Sequence, residues 1–104
     1  MKRGIVVTLL LMVPAVVAGA EKPVKLAEGA GRDVVENNCQ ACHSLDYIIM
    51  NSPFLDREGW GKEVTKMVTA FGAPIGKPEQ EAIVAYLAEH YGGVQQAANP
   101  IIGR

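Results

Sequence analysis

Apolar residues recur at helical spacing in three segments of the chain, and none of these segments alternates apolar and polar residues as a strand does. In the first segment Val35, Cys39 and Cys42 fall at positions i, i+4 and i+7, which places them on one face of a helix. This helix is predicted to begin near Gly29 or Gly31 and to run into the two cysteines. The pattern as a whole predicts an all-α protein.

The second helix is predicted to begin near Asp56 and to end at Gly72, because a glycine commonly follows the last turn of a helix. Pro78 suits the first position of the third helix, which Gly92 and Gly93 end. Each helix carries an apolar and aromatic stripe: Trp60, Val64, Met67, Val68 and Phe71 in the second, and Ile83, Tyr86, Leu87, His90 and Tyr91 in the third.

Residues 44–56, between the first two helices, are predicted to form a loop. They contain the sequence NSPFLD, which is rich in turn-forming residues. Pro53 disfavours a helical conformation at the preceding residue, so Ser52 is expected to be non-helical.

The N-terminus has the pattern of a secretory signal peptide. Lys2 and Arg3 precede an almost wholly apolar run at residues 5–17, and small residues follow at 18–20, where a signal peptidase cleaves. The run is short for a membrane span and contains Pro14, which disfavours a retained anchor. We therefore expect export to the periplasm, cleavage after residue 20 and no membrane anchor in the mature protein.

Cleavage would leave one domain at residues 21–94 and a C-terminal tail at 95–104. Removing Lys2 and Arg3 from the net charge of −1 leaves −3 with no basic block, so nucleic acid is not indicated as a partner. A domain of this size usually needs a staple, and a buried cofactor would serve. The charged residues of the second helix are interpreted as its solvated face: Lys62, Glu63 and Lys66.

The two cysteines of the chain form the sequence Cys39-x-x-Cys42-His43. A thioredoxin-like dithiol would need a preceding strand and a βαβ context, which the pattern does not contain. Structural zinc would need about four ligands, and the chain offers only these three residues and a distant His90. A lone disulfide would leave the histidine without a role.

Covalent haem accounts for all three residues of this motif. Two thiols one helical turn apart can add to the two vinyl groups at one porphyrin edge, and the adjacent imidazole then reaches the iron. We therefore predict one covalent haem c, held by Cys39 and Cys42, with His43 as an axial ligand of the iron.

The chain resembles the small class I cytochromes c over most of residues 29–92. Gly31 and Val35 in the first helix, and Ile83 and Tyr86 in the last, match the positions at which these helices cross in that family. The physical interpretation agrees, because glycine permits close backbone approach and the tyrosine ring fills the space beside it. The resemblance implies a cytochrome c fold of three to four helices around one haem.

A narrower resemblance lies in the strings CQACHSLDYIIMNSPFLDREGW, VTKMVTAFGAPI and AIVAYLAEHYG, which are similar to the haem subunit of bacterial sulfite dehydrogenases. In those enzymes a molybdenum-cofactor subunit oxidises sulfite and passes electrons to a small cytochrome. The resemblance implies that this chain accepts electrons from such a subunit, has no catalytic residues of its own, and donates to a further cytochrome c or an oxidase.

Met67 is the expected sixth ligand of the iron, with Met50 as the alternative. Met50 follows His43 by seven residues, an extended span of at most ~24 Å that must pass around the macrocycle. The position of Met67 before the last helix matches that of the axial methionine in the cytochrome family, although a methionine at helical spacing can also simply fill a core. His90 or an open site is the third alternative.

Four further residues are expected near the haem or its histidine ligand. The second ring N–H of His43 needs a carbonyl partner, and the resemblance points to the loop near Pro53. Arg57 and Trp60 could bind a haem propionate, and Tyr47 could do the same or lie in a docking surface at the haem rim.

Two other functions stay open: a free-standing mobile monohaem carrier, and a haem sensor or peroxidase-like protein with an open sixth site. A stable partner would be favoured by exposed apolar residues near the haem edge, and a charged rim would favour the mobile carrier. The candidates for such an apolar surface are Tyr47, Ile48 or Ile49, and Phe54.

Overall fold

The computed structural model describes residues 22–93, together with residues 14, 15 and 19, and the described chain contains four α-helices and no strand. The helices are α1 (Arg32–Cys39), α2 (Asp46–Asn51), α3 (Arg57–Thr69) and α4 (Lys77–Tyr91). The predicted all-α class is therefore confirmed. None of these helices is long and apolar enough to cross a membrane.

The predicted signal peptide, apart from residues 14, 15 and 19, and the predicted tail at 95–104 lie outside the described residues. Both stay predictions. The bounds of the domain expected at 21–94 stay a prediction as well.

Helix α4 is the centre of the fold, because it packs against both α1 and α3. Its Ile83, Tyr86 and Leu87 are buried, as is Val35 of α1. Burying each aliphatic side chain of this kind contributes about 1.5–3 kcal/mol. Val35 and the buried part of the predicted stripe on α4 therefore belong to the common core.

The crossing of α1 and α4 depends on Gly31, the N-cap of α1. A Cβ at this position would lie 3.1 Å from the Cβ of Tyr86 and 3.2 Å from the carbonyl oxygen of Ala82. The φ angle of Gly31 is also +94°, a region that favours glycine. The predicted close approach of Gly31 and Tyr86 is confirmed.

Two tyrosines of α4 hold the segment that precedes α1. The hydroxyl of Tyr86 donates to the carbonyl of Ala27, and the N–H of Ala27 donates to the hydroxyl of Tyr91 at 2.8 Å. The neighbouring Leu26 is buried in the core. Both backbone polar groups of Ala27 are thereby satisfied across the fold.

The prediction of a loop at 44–56 is wrong, because α2 lies within it. Leu45 and Ile48, three residues apart, are both buried and anchor this short helix on the core. Ser52 is its C-cap and has helical angles despite the following proline, and its N–H donates to the carbonyl of Ile48 at 2.9 Å. The tertiary contacts outweigh the local preference imposed by Pro53.

Helix α3 begins and ends close to the predicted residues. The carboxylate of Asp56 accepts from the N–H of Gly59 at 2.8 Å and caps the first turn. The helix ends at Thr69, and Gly72 follows with a φ of +70°. The N–H of residue 73 then donates to the carbonyl of Met67 at 2.9 Å, which fixes the chain after the helix.

Replacement of Gly31 by alanine is expected to lower the free energy of unfolding by about 1–3 kcal/mol, because the new Cβ meets α4 and the backbone angle is unfavourable. The measurement is urea unfolding of the purified protein followed by circular dichroism. The matched control is Gly61→Ala in α3, where a Cβ has open space, and this variant is expected to gain up to ~1 kcal/mol. Equal stability of the two variants would contradict the role assigned to Gly31.

Candidate functional site

An apolar cavity of about 580 Å³ opens between the four helices. This volume lies in the range of cofactor and small-molecule sites, roughly 300–1,000 Å³. Its lining comes from all four helices and the loops between them: Asn38, Cys39, Cys42, His43, Tyr47, Ile48, Trp60, Glu63, Val64, Lys66, Met67, Phe71, Ala73, Ile75, Ile83 and Leu87. The residues of the sequence motif and those of the second stripe thus meet in one cavity.

The two cysteines lie where α1 ends at the cavity. Cys39 is the last residue of α1 and is partly buried, whereas Cys42 is exposed, and both are free thiols. Burial, reinforced by the neighbouring Cys42, raises the pKa of the Cys39 thiol. Cys42 lies beyond the end of α1, in the turn that follows it, so the helix ends earlier than predicted, although both cysteines line the cavity.

His43 follows the second cysteine and lines the same cavity. Its Nδ1 lies 3.2 Å from the carbonyl oxygen of Ser44, so a proton on Nδ1 leaves the lone pair of Nε2 available to a metal. The partner expected near Pro53 is not the one that the structure gives. The carbonyl of Ser52 in that loop instead accepts from the N–H of Gly93 at 2.8 Å.

The three candidates for the second axial ligand occupy different places. Met67, on α3, lines the cavity together with His43. Met50 does not line the cavity, and 71% of its surface is exposed. His90 lies on α4 with its ring 4.7 Å from that of Tyr86 and is not part of the lining. The geometry therefore favours Met67.

The residues expected to bind a propionate have separate roles in the structure. The indole N–H of Trp60 donates to the carbonyl of Tyr91 at 3.0 Å in the core, so a propionate would have to displace that bond. Arg57 is the exposed first residue of α3 and does not line the cavity. The propionate contacts stay predictions, with Trp60 already committed to joining α3 and α4.

The interpretation of Glu63 as part of a solvated face is wrong, because its side chain is partly buried and lines the cavity. Lys66 also lines the cavity but is exposed, as expected. Glu63 accepts from the hydroxyl of Tyr47 at 3.0 Å and from Lys66 at 2.8 Å. The sequence contained a signal for this placement. Glu63 lies three residues after Trp60 and four before Met67, which puts it on the same face of α3.

The donor set determines what the cavity can hold. Two thiols, one imidazole and one thioether line a largely apolar space, which fits a flat hydrophobic macrocycle with a central iron. Among residues 22–93, no group of three or more His, Cys, Asp or Glu side chains could bind a bare metal ion. The residues present therefore fit a haem better than a zinc ion.

Comparison with known proteins gives one family. A family model described as "Quinohemoprotein amine dehydrogenase A, alpha subunit, haem binding" matches residues 29–101, which is more than half of the chain. The match includes every residue of the cavity lining. No curated protein matches the chain.

Proposed function

Since the chain belongs to the haem-binding family of the quinohemoprotein amine dehydrogenase alpha subunit, we propose that its cavity holds one covalent haem c and that the protein transfers electrons. The observation that carries this proposal is the meeting of Cys39, Cys42, His43 and Met67 in one apolar cavity. A bound haem supplies a centre that gains and loses one electron at a time.

Each of these four residues would have its own role in binding the haem. Cys39 and Cys42 would bind the porphyrin through thioether bonds, since both line the cavity and lie three residues apart in the chain. His43 offers Nε2 to the iron while Ser44 orients its ring. Met67 supplies a thioether sulfur, which raises the reduction potential relative to a second imidazole.

The thioether bonds are tested by denaturing gel electrophoresis with a stain for haem. The exported protein is expected to retain the stain after boiling, because thioether bonds survive denaturation. The double variant Cys39→Ala/Cys42→Ala should lose all stain, and Met50→Ala, which changes an exposed residue outside the cavity, should keep it. Loss of the stain from the unaltered protein would contradict covalent attachment.

The axial assignment is tested by the absorption band that a methionine–iron bond gives in the ferric protein. Met67→Ala is expected to abolish this band and to lower the reduction potential measured by voltammetry, because the thioether sulfur is removed. Met50→Ala should leave both unchanged. Survival of the band in Met67→Ala would refute the assignment, and an absent band in the unaltered protein would favour the sensor or peroxidase-like alternative.

We propose that the electron donor is a stably bound dehydrogenase subunit. Ile49 and Phe54 are 44% and 77% exposed and flank the exposed Met50, whereas Ile48, another candidate for this surface, is buried. Exposed apolar residues grouped in one short segment favour a protein partner over a freely diffusing carrier. Their position in and just after α2, the helix that follows His43, supports a docking site near the proposed haem.

Two donor classes are supported by different observations. The sequence strings around the cysteine motif favour a molybdenum-containing subunit that oxidises sulfite. The family match favours a quinohemoprotein dehydrogenase that oxidises an amine. On the strength of those strings we propose the sulfite enzyme as the first donor to test, and a further cytochrome c or an oxidase would take the electron onward in the periplasm.

The electron donor can be identified by native purification of the haem protein from the periplasm, together with any subunit bound to it. The molybdenum content of the preparation is measured, and the haem spectrum is followed after substrate is added. Prompt reduction of the haem by sulfite, with molybdenum and a larger subunit present, is the expected result. Reduction by a primary amine without molybdenum would identify the amine dehydrogenase instead. A lone cytochrome that responds to neither substrate would identify the mobile carrier and contradict the stable donor.

A further inference from the structure

We propose that Tyr47 and Glu63 form a strut that sets the orientation of His43 relative to Met67. Both are positioning residues, since they act through the two ligands and not on the iron. The inference rests on the proposed function, because it takes His43 and Met67 as the axial pair.

One end of the strut is the ring of Tyr47, which follows His43 by four residues in the chain. The centroids of the two rings are 4.9 Å apart, and the ring planes are tilted by 43°. The imidazole has one further polar contact in the structure, from Nδ1 to the carbonyl of Ser44. The tyrosine ring is therefore the side chain that limits rotation of the imidazole on this side.

The far end of the strut is anchored on α3. The Tyr47 hydroxyl donates to Oε2 of Glu63 at 3.0 Å, and Lys66 donates to Oε1 of the same carboxylate at 2.8 Å. The hydrogen bond from Lys66, together with that from Tyr47, lowers the pKa of Glu63, so the carboxylate is ionised at neutral pH. A charged acceptor makes the stronger hydrogen bond to the phenol.

This hydrogen bond connects the two segments that carry the ligands. Tyr47 belongs to α2, directly after the cysteine–histidine motif, and Glu63 lies one helical turn before Met67 on α3. Helix α2 has only six residues, and a helix of that length is not stable by itself. Its orientation therefore depends on tertiary contacts, chiefly the buried Ile48 and the bond to Glu63.

The strut also changes the role expected for Tyr47. The donor hydrogen of its hydroxyl is committed to Glu63, so a propionate would have to compete with a charged carboxylate. A positioning role for Tyr47 is compatible with both of its contacts in the structure. It requires that the ring contact with His43 and the hydrogen bond to Glu63 act together.

The experiment is a double-mutant cycle on the haem-loaded full-length protein with Tyr47→Phe, Glu63→Ala and the combined variant. Added imidazole competes with methionine for the ferric iron, so the imidazole concentration at half-saturation reports how firmly the axial pair is held. Each single variant is expected to lower that concentration roughly three- to tenfold, and the combined variant should lower it no further. The hyperfine-shifted haem methyl resonances should change in all three, because their pattern depends on the orientation of the histidine ring.

Two further variants separate positioning from general damage. Glu63→Gln keeps an oxygen acceptor for the phenol and is expected to restore most of the imidazole resistance. Glu58→Ala removes another carboxylate of α3, one that pairs with Lys62 at 2.7 Å on the exposed face, and should leave both readouts unchanged. Circular dichroism establishes that each variant is folded, and Glu63→Leu, which has no acceptor for the phenol, replaces Glu63→Ala in the cycle if Glu63→Ala is not folded.

The outcomes distinguish failure of the strut from failure of the proposed function. Normal methionine ligation in the unaltered protein with additive or absent effects in the cycle would overturn the strut and leave the function intact. An effect of Tyr47→Phe that Glu63→Ala does not share would also overturn it. A protein without covalent haem or without a methionine–iron band would overturn the proposed function and this inference with it.

Discussion

The close crossing of α1 and α4 at Gly31 and Tyr86 is the contact on which the rest of the structure depends. A backbone without a side chain at residue 31 lets α1 lie directly against the tyrosine. This contact sets the direction of α1 and therefore the place where its last residue, Cys39, reaches the cavity. A helix held further from α4 would carry the cysteines away from the wall that they now line.

The apolar cavity explains how so small a domain is stable. Burial is concentrated on α4 and the residues of α1 and α3 that face it, while the cavity between the four helices is lined mainly by apolar side chains. A haem in this space would complete the core, because it would bury those side chains and could be held by Cys39 of α1 and by His43. Cofactor and hydrophobic core are therefore parts of one packing problem in this protein.

The features encoded over short distances in sequence were predictable. The cysteine motif, the caps near Asp56 and Gly72 and the stripe on α4 each depend on residues within a few positions of one another. Helix α2 was missed because Leu45 and Ile48 make it stable only when they reach the core. The role of Glu63 was missed because a carboxylate on a helix looks solvated until its partner, 16 residues away, is known. Likewise, the choice between Met50 and Met67 needed the position of the cavity.

The hydrogen bonds that Tyr86 and Tyr91 make with Ala27 constrain the order in which the chain folds. Their hydroxyls bond to a residue that lies 59 and 64 positions earlier, so neither bond can form until nearly all of the domain has been synthesised. Contacts of such long range close late, after local helices have formed. The segment with Cys39 and Cys42 therefore lacks its contacts with α4 until late in synthesis. The thiols of Cys39 and Cys42 would therefore be accessible to a haem before α4 packs against α1.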